Sequence, residues 1–346
     1  MVIAAPAMVP EAAAAGQLFV SAENANFNNY FAGMQVVEII VRDPKATETD
    51  ERQQEPTVKV DEHLLRLSQA ADGYWYAYIA DTNNVATAFA LDSSSDIKIN
   101  FGVAHSTTTI GATPTFDSAA TVYHTSSIIG GAPTLSNVLV TGEEDADGTG
   151  LIGQIGIDNT KWPFIQTFDF TIETFEIKLE QPGADEVVVL THDNDDIDNY
   201  ASIVLDRNAA TNGAHLHLTI TDQALNIDPT TEDVVTFNVT SGSEGVSFKT
   251  PSTQTSGSYV AFNNSFDDNG KLIINYDANG VSTDVLTDTV TLDDTTADKY
   301  LVFFETAENS GVFVNTDDDD ASNLLVSTSA LRGTTATIDY NDSAQS

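Results

Sequence analysis

Closely spaced carboxylates are the side chains in this sequence with the clearest capacity for chemistry. Like charges this close repel one another, and a hard divalent cation relieves that repulsion. Ca²⁺ takes six to eight oxygen ligands, which such loops can offer. We therefore expect calcium, or another divalent cation, at three clusters: Asp193, Asp195, Asp196 and Asp198; Asp222, Asn226, Asp228, Glu232 and Asp233; and Glu143, Asp145 and Asp147.

Each cluster also fits a solvated turn, because Asp and Asn favour turns without any metal. The stretch 222–233 favours calcium more than the others, since Leu225 and Ile227 are placed to pin the loop. Residues 143–148 match the first half of an EF-hand loop. Gln154 stands where that loop needs its closing Glu.

Other reactive motifs do not emerge from the sequence. It contains no cysteine, no GxSxG, no P-loop and no HExxH. Pairs of carboxylates are too numerous to indicate a glycosidase. We therefore predict a protein that is not an enzyme. Three N-x-S/T sequons predict glycosylation at Asn238, Asn263 and Asn341.

The charge balance restricts the partners. The chain of 346 residues has 52 acidic and 13 basic residues and a formal net charge of −39. Such a chain repels nucleic acid and anionic membranes and attracts cations. General adaptation to salty water also explains a carboxylate-rich surface, and that explanation is compatible with specific cation binding.

The elements that must position these loops are β-strands. Short runs rich in Val, Ile, Thr, Phe and Tyr alternate with polar residues, as in Val36–Val41, Tyr74–Ile79 and Val187–Leu190. Leu272–Tyr276 lies between Asn-Gly dipeptides typical of hairpin turns. Many strands, frequent turns and almost no helical periodicity predict an all-β fold of tandem Ig-like β-sandwich modules.

A weak internal repeat divides the chain. The order of turn, strand and Asp-Pro in residues 26–44 returns in residues 208–229. We expect N-terminal β-sandwich module(s) in residues 17–170. An Ig-like module, truncated at its C-terminal end, is expected in residues 171–346.

The first residues predict secretion. Small residues at Ala13 and Ala15 fit a signal-peptidase site, and the first basic residue is Arg42. We interpret residues 1–16 as the remnant of a signal peptide whose beginning is missing. A flexible tail rich in Ala and Pro is the alternative. No segment has about 18 consecutive apolar residues, so the sequence predicts no membrane span.

Three segments, 215–233, 303–313 and 332–342, carry a family resemblance. They resemble the Ig-like modules of surface-layer (S-layer) proteins from ammonia-oxidising, thaumarchaeal archaea. The resemblance covers residues 187–346 well, 17–89 more loosely and 104–167 least clearly. It implies a secreted, glycosylated structural protein that self-assembles into a porous two-dimensional lattice on the cell. It also implies metal ions in acidic loops and negatively charged pores that favour cations such as ammonium. The chain is shorter than members of that family.

An extracellular calcium-binding adhesin or ligand-binding module is the alternative. A cluster of exposed aromatic residues would favour it, and Tyr74-Trp75-Tyr76 is the strongest candidate. The alternation around this stretch instead predicts a core strand.

Overall fold

The structure is a computed structural model, and strands account for most of the regular structure it describes. It describes residues 17–49, 54–85, 103–104, 116–124, 162–170, 174–238, 245–249, 259–261, 270–276, 290–292, 300–316, 322, 324–333, 335–340 and 343–345. Helical structure in these residues comprises residues 82–85 and the 3₁₀ turns Ala25–Phe27, Asp196–Tyr200 and Gln223–Leu225. The predicted all-β class is confirmed at this level.

Two sheets form the N-terminal unit. Sheet 1 has the order β1-β3-β7-β10-β9-β8, with β6 paired to β7. Its strands are β1 (Leu18–Val20), β3 (Val37–Val41), β6 (Ser68–Gln69), β7 (Trp75–Asp81), β8 (Val103–Ala104), β9 (Thr121–His124) and β10 (Phe164–Phe168). Sheet 2 has the order β2-β12-β11-β4-β5. Its strands are β2 (Tyr30–Phe31), β4 (Val58–Val60), β5 (His63–Leu65), β11 (Thr174–Leu179) and β12 (Glu186–His192).

Three sheets form the C-terminal unit. Sheet 3 has the order β13-β14-β21-β20-β15-β16-β17, sheet 4 is β18-β23-β24 and sheet 5 is β19-β22. The strands of sheet 3 are β13 (Ser202–Leu205), β14 (Leu218–Thr221), β15 (Val234–Asn238), β16 (Gly245–Lys249), β17 (Tyr259–Ala261), β20 (Tyr300–Glu305) and β21 (Val312–Val314). Those of sheets 4 and 5 are β18 (Leu272–Tyr276), β19 (Val290–Leu292), β22 (Leu324–Val326), β23 (Ala336–Tyr340) and β24 (Ser343–Gln345).

Sheet 1 is buried on both faces at its centre. All five residues of β3 and all five of β10 are buried. One face shares a hydrophobic cluster with sheet 2, to which Trp75, Ile79, Phe175 and Ile177 belong. Trp75 is fully buried and its Nε1–H donates to the carbonyl oxygen of Ala46 at 2.8 Å. The aromatic stretch that would have favoured an adhesin is therefore anchored in the core.

The strand pairing divides the chain later than the sequence suggested. β11 pairs with β4 and β12 pairs with β2, so residues 174–192 complete sheet 2 of the N-terminal unit. The expected boundary between residues 170 and 171 lies inside that unit, and the connection between the units is residues 193–201. The physical reason is long-range: inward residues such as Phe175 and Leu190 are buried in the same cluster as the N-terminal strands.

Gly73 offers a test of this packing. Its φ is +88°, and a Cβ built on it would lie 2.4 Å from the backbone oxygen of Thr47. We expect Gly73→Ala to lower the free energy of unfolding by about 2–3 kcal/mol, because overpacking adds to left-handed strain. Gly183→Ala is the matched control, since Gly183 lies in the same unit at φ +117° with nothing within 4 Å of a built Cβ. Urea unfolding compares the two variants, and equal losses would contradict the predicted clash.

Candidate functional site: the acidic joint between the units

The two units meet through loops that the sequence had singled out as acidic. The backbone N–H of Val36 donates to the carbonyl oxygen of Ile227 at 2.9 Å. The side-chain Nδ2 of Asn309 donates to the carbonyl oxygen of Ser21 at 3.0 Å. We call this region the joint. The predicted clusters at 193–198 and 222–233 both contribute to it.

A small apolar contact holds the two acidic loops against the N-terminal unit. Ile197 of the connection, Ala224 of the second loop and Ala32 after β2 form one buried cluster, with Tyr30 packed against it. The structure therefore brings the two sequence clusters to the same place. The apolar residues within the two acidic loops, Ile197 and Ala224, make this contact, while polar residues in the same loops form hydrogen bonds.

The carboxylates of the 222–233 loop accept hydrogen bonds from their own surroundings. Asp222 Oδ1 caps the 3₁₀ turn by accepting from the N–H of Ala224 at 2.8 Å. Asp222 Oδ2 accepts from the hydroxyl of Tyr340 at 2.5 Å. Asp228 Oδ1 accepts from both the N–H and the hydroxyl of Thr230, at 3.0 and 2.5 Å. These bonds fix the conformation of the loop.

Asp233 closes the loop. Its Oδ2 accepts from the backbone N–H groups of Ile227 and Asp228, at 2.6 and 2.9 Å. Asp222, Asn226, Asp228 and Asp233 are all buried, whereas Glu232 is exposed. The predicted ligand set therefore divides into a buried group and one surface carboxylate.

Glu305, at the end of β20, is a site residue that the sequence analysis missed. Its Oε2 accepts from the N–H of Asp233 at 3.0 Å. Its Oε1 accepts from the N–H groups of Ser310 and Gly311, at 2.7 and 2.9 Å. The signal was available: Glu305 has the same strand parity as the buried residues Leu301 and Phe303, so it points inward.

Glu38, on β3, is the second missed residue. Tyr78 donates its hydroxyl to Glu38 Oε1 at 3.2 Å, and Ser21 Oγ accepts from the Glu38 N–H at 2.9 Å. A polar residue in an alternating strand is expected to face solvent. Glu38 is buried because other parts of the chain cover that face of sheet 1.

Burial changes the acid–base properties of these carboxyls. It raises the pKa of Glu38 to about 7, and the negative charge of Asp228 adds to that rise. It raises the pKa of Asp233 to about 8, with Glu305 and Asp228 adding to the effect. Burial also raises the pKa of Glu305, against the lowering effect of its backbone hydrogen bonds. The joint therefore binds protons at neutral pH.

Amide groups at the joint leave buried polar atoms without a hydrogen bond. In the described part of the chain, these are both side-chain polar atoms of Gln35 and of Gln223, and Oδ1 of Asn226. Asn226 Nδ2 donates to Asn309 Oδ1 at 2.6 Å, so its oxygen is the unmatched end. Buried polar groups in native proteins are nearly always hydrogen-bonded, so these oxygens have unused capacity to accept bonds.

The other predicted residues lie in different settings. Asp193 Oδ1 accepts from the N–H groups of Asp195 and Asp196, at 2.9 and 3.0 Å, and the 3₁₀ turn with Asp196 and Asp198 follows. Asn238 is the last residue of β15, where it is paired with Tyr300 and Gly245. Residues outside the described part are Glu143, Asp145, Asp147, Asn263 and Asn341.

Within the described residues, no group of three or more Asp, Glu or His side chains is arranged to hold a metal ion. Over the same residues, no helix has the length and apolarity needed to cross a membrane. Comparison with known proteins gives no family assignment: no family model matches the chain, and no curated protein matches its sequence significantly.

Proposed function

We propose that this chain is a structural segment of a cell-surface layer. It is a secreted, glycosylated protein of tandem Ig-like modules that self-assembles into a porous two-dimensional lattice. Its role is mechanical and electrostatic, and it carries out no catalysis. Calcium or another divalent cation binds its acidic loops.

The observation that carries the proposal is the continuity between the two units. One hydrophobic cluster includes Val36, Tyr78 and Phe164 of the N-terminal unit and Leu218 and Phe303 of the C-terminal unit. Hydrogen bonds at the joint add to this contact. A lattice needs building blocks that keep one geometry under stress, and a shared core resists hinging between modules.

The net charge supports a further part of the proposal, that the pores of the lattice are negatively charged and favour cations. A net charge of −39 attracts cations, but salt limits the range of that attraction. The screening length is about 8 Å at physiological salt and about 3 Å at 1 M. Narrow clefts lined by one sign of charge focus the potential. Enrichment of cations such as ammonium is therefore a property of the assembled lattice.

Calcium is expected to stabilise the protein beyond the effect of ionic strength. Extracellular calcium modules bind with a Kd of about 10⁻⁴–10⁻³ M. At about 10 mM Ca²⁺, one such site adds about 1.4–2.7 kcal/mol to the free energy of unfolding. Thermal unfolding after dialysis against a chelator measures this, with NaCl at matched ionic strength as the control. Equal stabilisation by both salts would exclude specific calcium sites.

Electron microscopy tests the structural role directly. Purified protein incubated with calcium is expected to form ordered two-dimensional sheets. Ammonium enrichment is then compared between sheets and monomers, and the proposal expects enrichment only in sheets. Persistent monomers that adhere to glycans or cells would instead support the adhesin.

A further inference from the structure

On the outward face of sheet 3, one row of residues across five strands is largely apolar and partly exposed. The opposite face packs on the core, where Phe303 and Phe313 are fully buried. On the outward face, one row crosses β13, β14, β21, β20 and β15. It consists of directly opposed residues: Val204, Thr219, Val314, Phe304 and Val234. Val204 is 60% exposed, Val234 52% and Phe304 40%.

The row itself carries no charge. The outward positions beside it within the same strands are Ser202, Thr221, Val312, Val302 and Thr236, and none of them is ionisable. Charged residues lie just beyond the strand ends, where Asp206 pairs with Arg207 and Glu232 is exposed. The outward face of sheet 2 is different, because there Lys178 and Lys59 lie between the exposed residues Val187 and Leu64.

We propose that a second copy of this chain covers the row, as a face-to-face pair of sheets. Two chains that each carry a charge of −39 repel one another over most of their surfaces. A row without ionisable residues is where they approach at the lowest electrostatic cost. A cationic partner, by contrast, would gain more from the carboxylate-rich surface.

The row is self-complementary about its central residue. Consider a twofold axis that runs along β21, in the plane between the two sheets. It places Val204 opposite Val234 of the second copy, and Val314 opposite Val314 of the second copy. It also places the small Thr219 opposite the large Phe304 of the second copy. Stacked sheets lie about 10 Å apart, a distance that interdigitating side chains fill.

Such a contact is isologous and closes into a dimer. The inference rests on the proposed self-assembly and deepens it, because it names one surface through which copies join. A lattice requires at least one further contact. Formation of the dimer and assembly of the two-dimensional lattice can therefore be tested separately.

Sedimentation of the full chain over a concentration series tests the surface. We expect a reversible dimer that tightens as NaCl screens the net charge. Val234→Glu is expected to weaken it about 100-fold, because a carboxylate would be buried without a partner. Val189→Glu is the matched control, since Val189 is a strand valine with 45% exposure on sheet 2. It is expected to leave the dimer constant unchanged.

A pair of opposite charges, introduced at positions 204 and 234, tests the proposed twofold axis. Val204→Glu and Val234→Lys should each weaken the dimer. The double variant should recover it, because the axis places positions 204 and 234 opposite each other across the interface. A double variant as weak as the single ones would overturn this arrangement.

Three further outcomes would overturn the inference. The first is a wild-type chain that stays monomeric at all concentrations and salts. The second is a dimer that Val234→Glu does not affect. The third is a monomeric wild type whose melting temperature falls with Val234→Glu but not with Val189→Glu, which would mean that the chain itself covers this face. Two-dimensional lattice sheets that still form in Val234→Glu would contradict only the inference. Dimers that Val234→Glu weakens, in a wild-type chain that forms no lattice sheets, would contradict only the proposed function.

Discussion

Raising the pH from about 5 to about 8.5 is expected to lower the free energy of unfolding by about 3–6 kcal/mol. A carboxyl whose pKa is higher in the folded protein than in the unfolded chain binds its proton more tightly when folded. The folded state therefore loses stability as the pH rises from about 4, the unfolded value, to the folded value. For Glu38 and Asp233 those folded pKa values are about 7 and about 8.

Glu38→Gln isolates the contribution of one group from the repulsion of the whole acidic chain. The amide stays neutral, and its oxygen can accept from Tyr78 as the carboxyl does. We expect this variant to be more stable than wild type by about 1–3 kcal/mol at about pH 8.5 and nearly unchanged at about pH 5.

The measurement is urea unfolding at several pH values in the presence of a chelator. Glu176→Gln is the control, because Glu176 is exposed on sheet 2. It should leave the pH dependence as in wild type. Parallel stability curves for wild type and Glu38→Gln would show that Glu38 does not titrate at the joint.

Removing the carboxylate of Glu305 is expected to cost about 3–5 kcal/mol. Glu305→Ala leaves the N–H groups of Asp233, Ser310 and Gly311 without their acceptor. An unsatisfied buried donor costs about 1–3 kcal/mol, and relief of repulsion with Asp233 offsets part of the sum. Glu305→Gln should cost less, about 1–3 kcal/mol, because its amide oxygen still accepts from one set of donors.

Two measurements check this prediction. Urea unfolding gives the global loss, with Glu176→Ala as an exposed control expected within about 0.5 kcal/mol of wild type. Amide hydrogen exchange should show faster exchange at Ser310 and Gly311 in Glu305→Ala. Unchanged exchange at these amides would contradict the assignment of Glu305 as their acceptor.

The sequence by itself determined the strand content, because alternation of apolar and polar residues is a local property. Val187–Leu190, for example, was predicted as a strand and lies within β12. It also determined how the acidic loops hold themselves, since Asp222 and Asp228 form the short-range caps and turns that Asp favours.

Strand partners were decided by the tertiary structure. Leu272–Tyr276 was recognised as a strand by its flanking turns, yet its described partner is Ala336–Tyr340. Residues 174–192 were assigned to the second module but complete a sheet of the first. Turn residues set local chain reversal, and they carry no information about which distant strand completes a sheet.

The tertiary structure also determined which carboxylates are buried. From sequence, the acidic loop at 222–233 was a candidate calcium site or a solvated turn, and Glu38 was one polar residue within the predicted strand Val36–Val41. In the folded chain most of that loop is buried at the joint, where Asp233 lies beside Glu305 and burial raises the pKa of Glu38 and Asp233. The physical reason is that burial depends on what packs against both faces of a strand or loop. Residues nearly 200 positions apart, such as Val36 and Ile227, supply that packing.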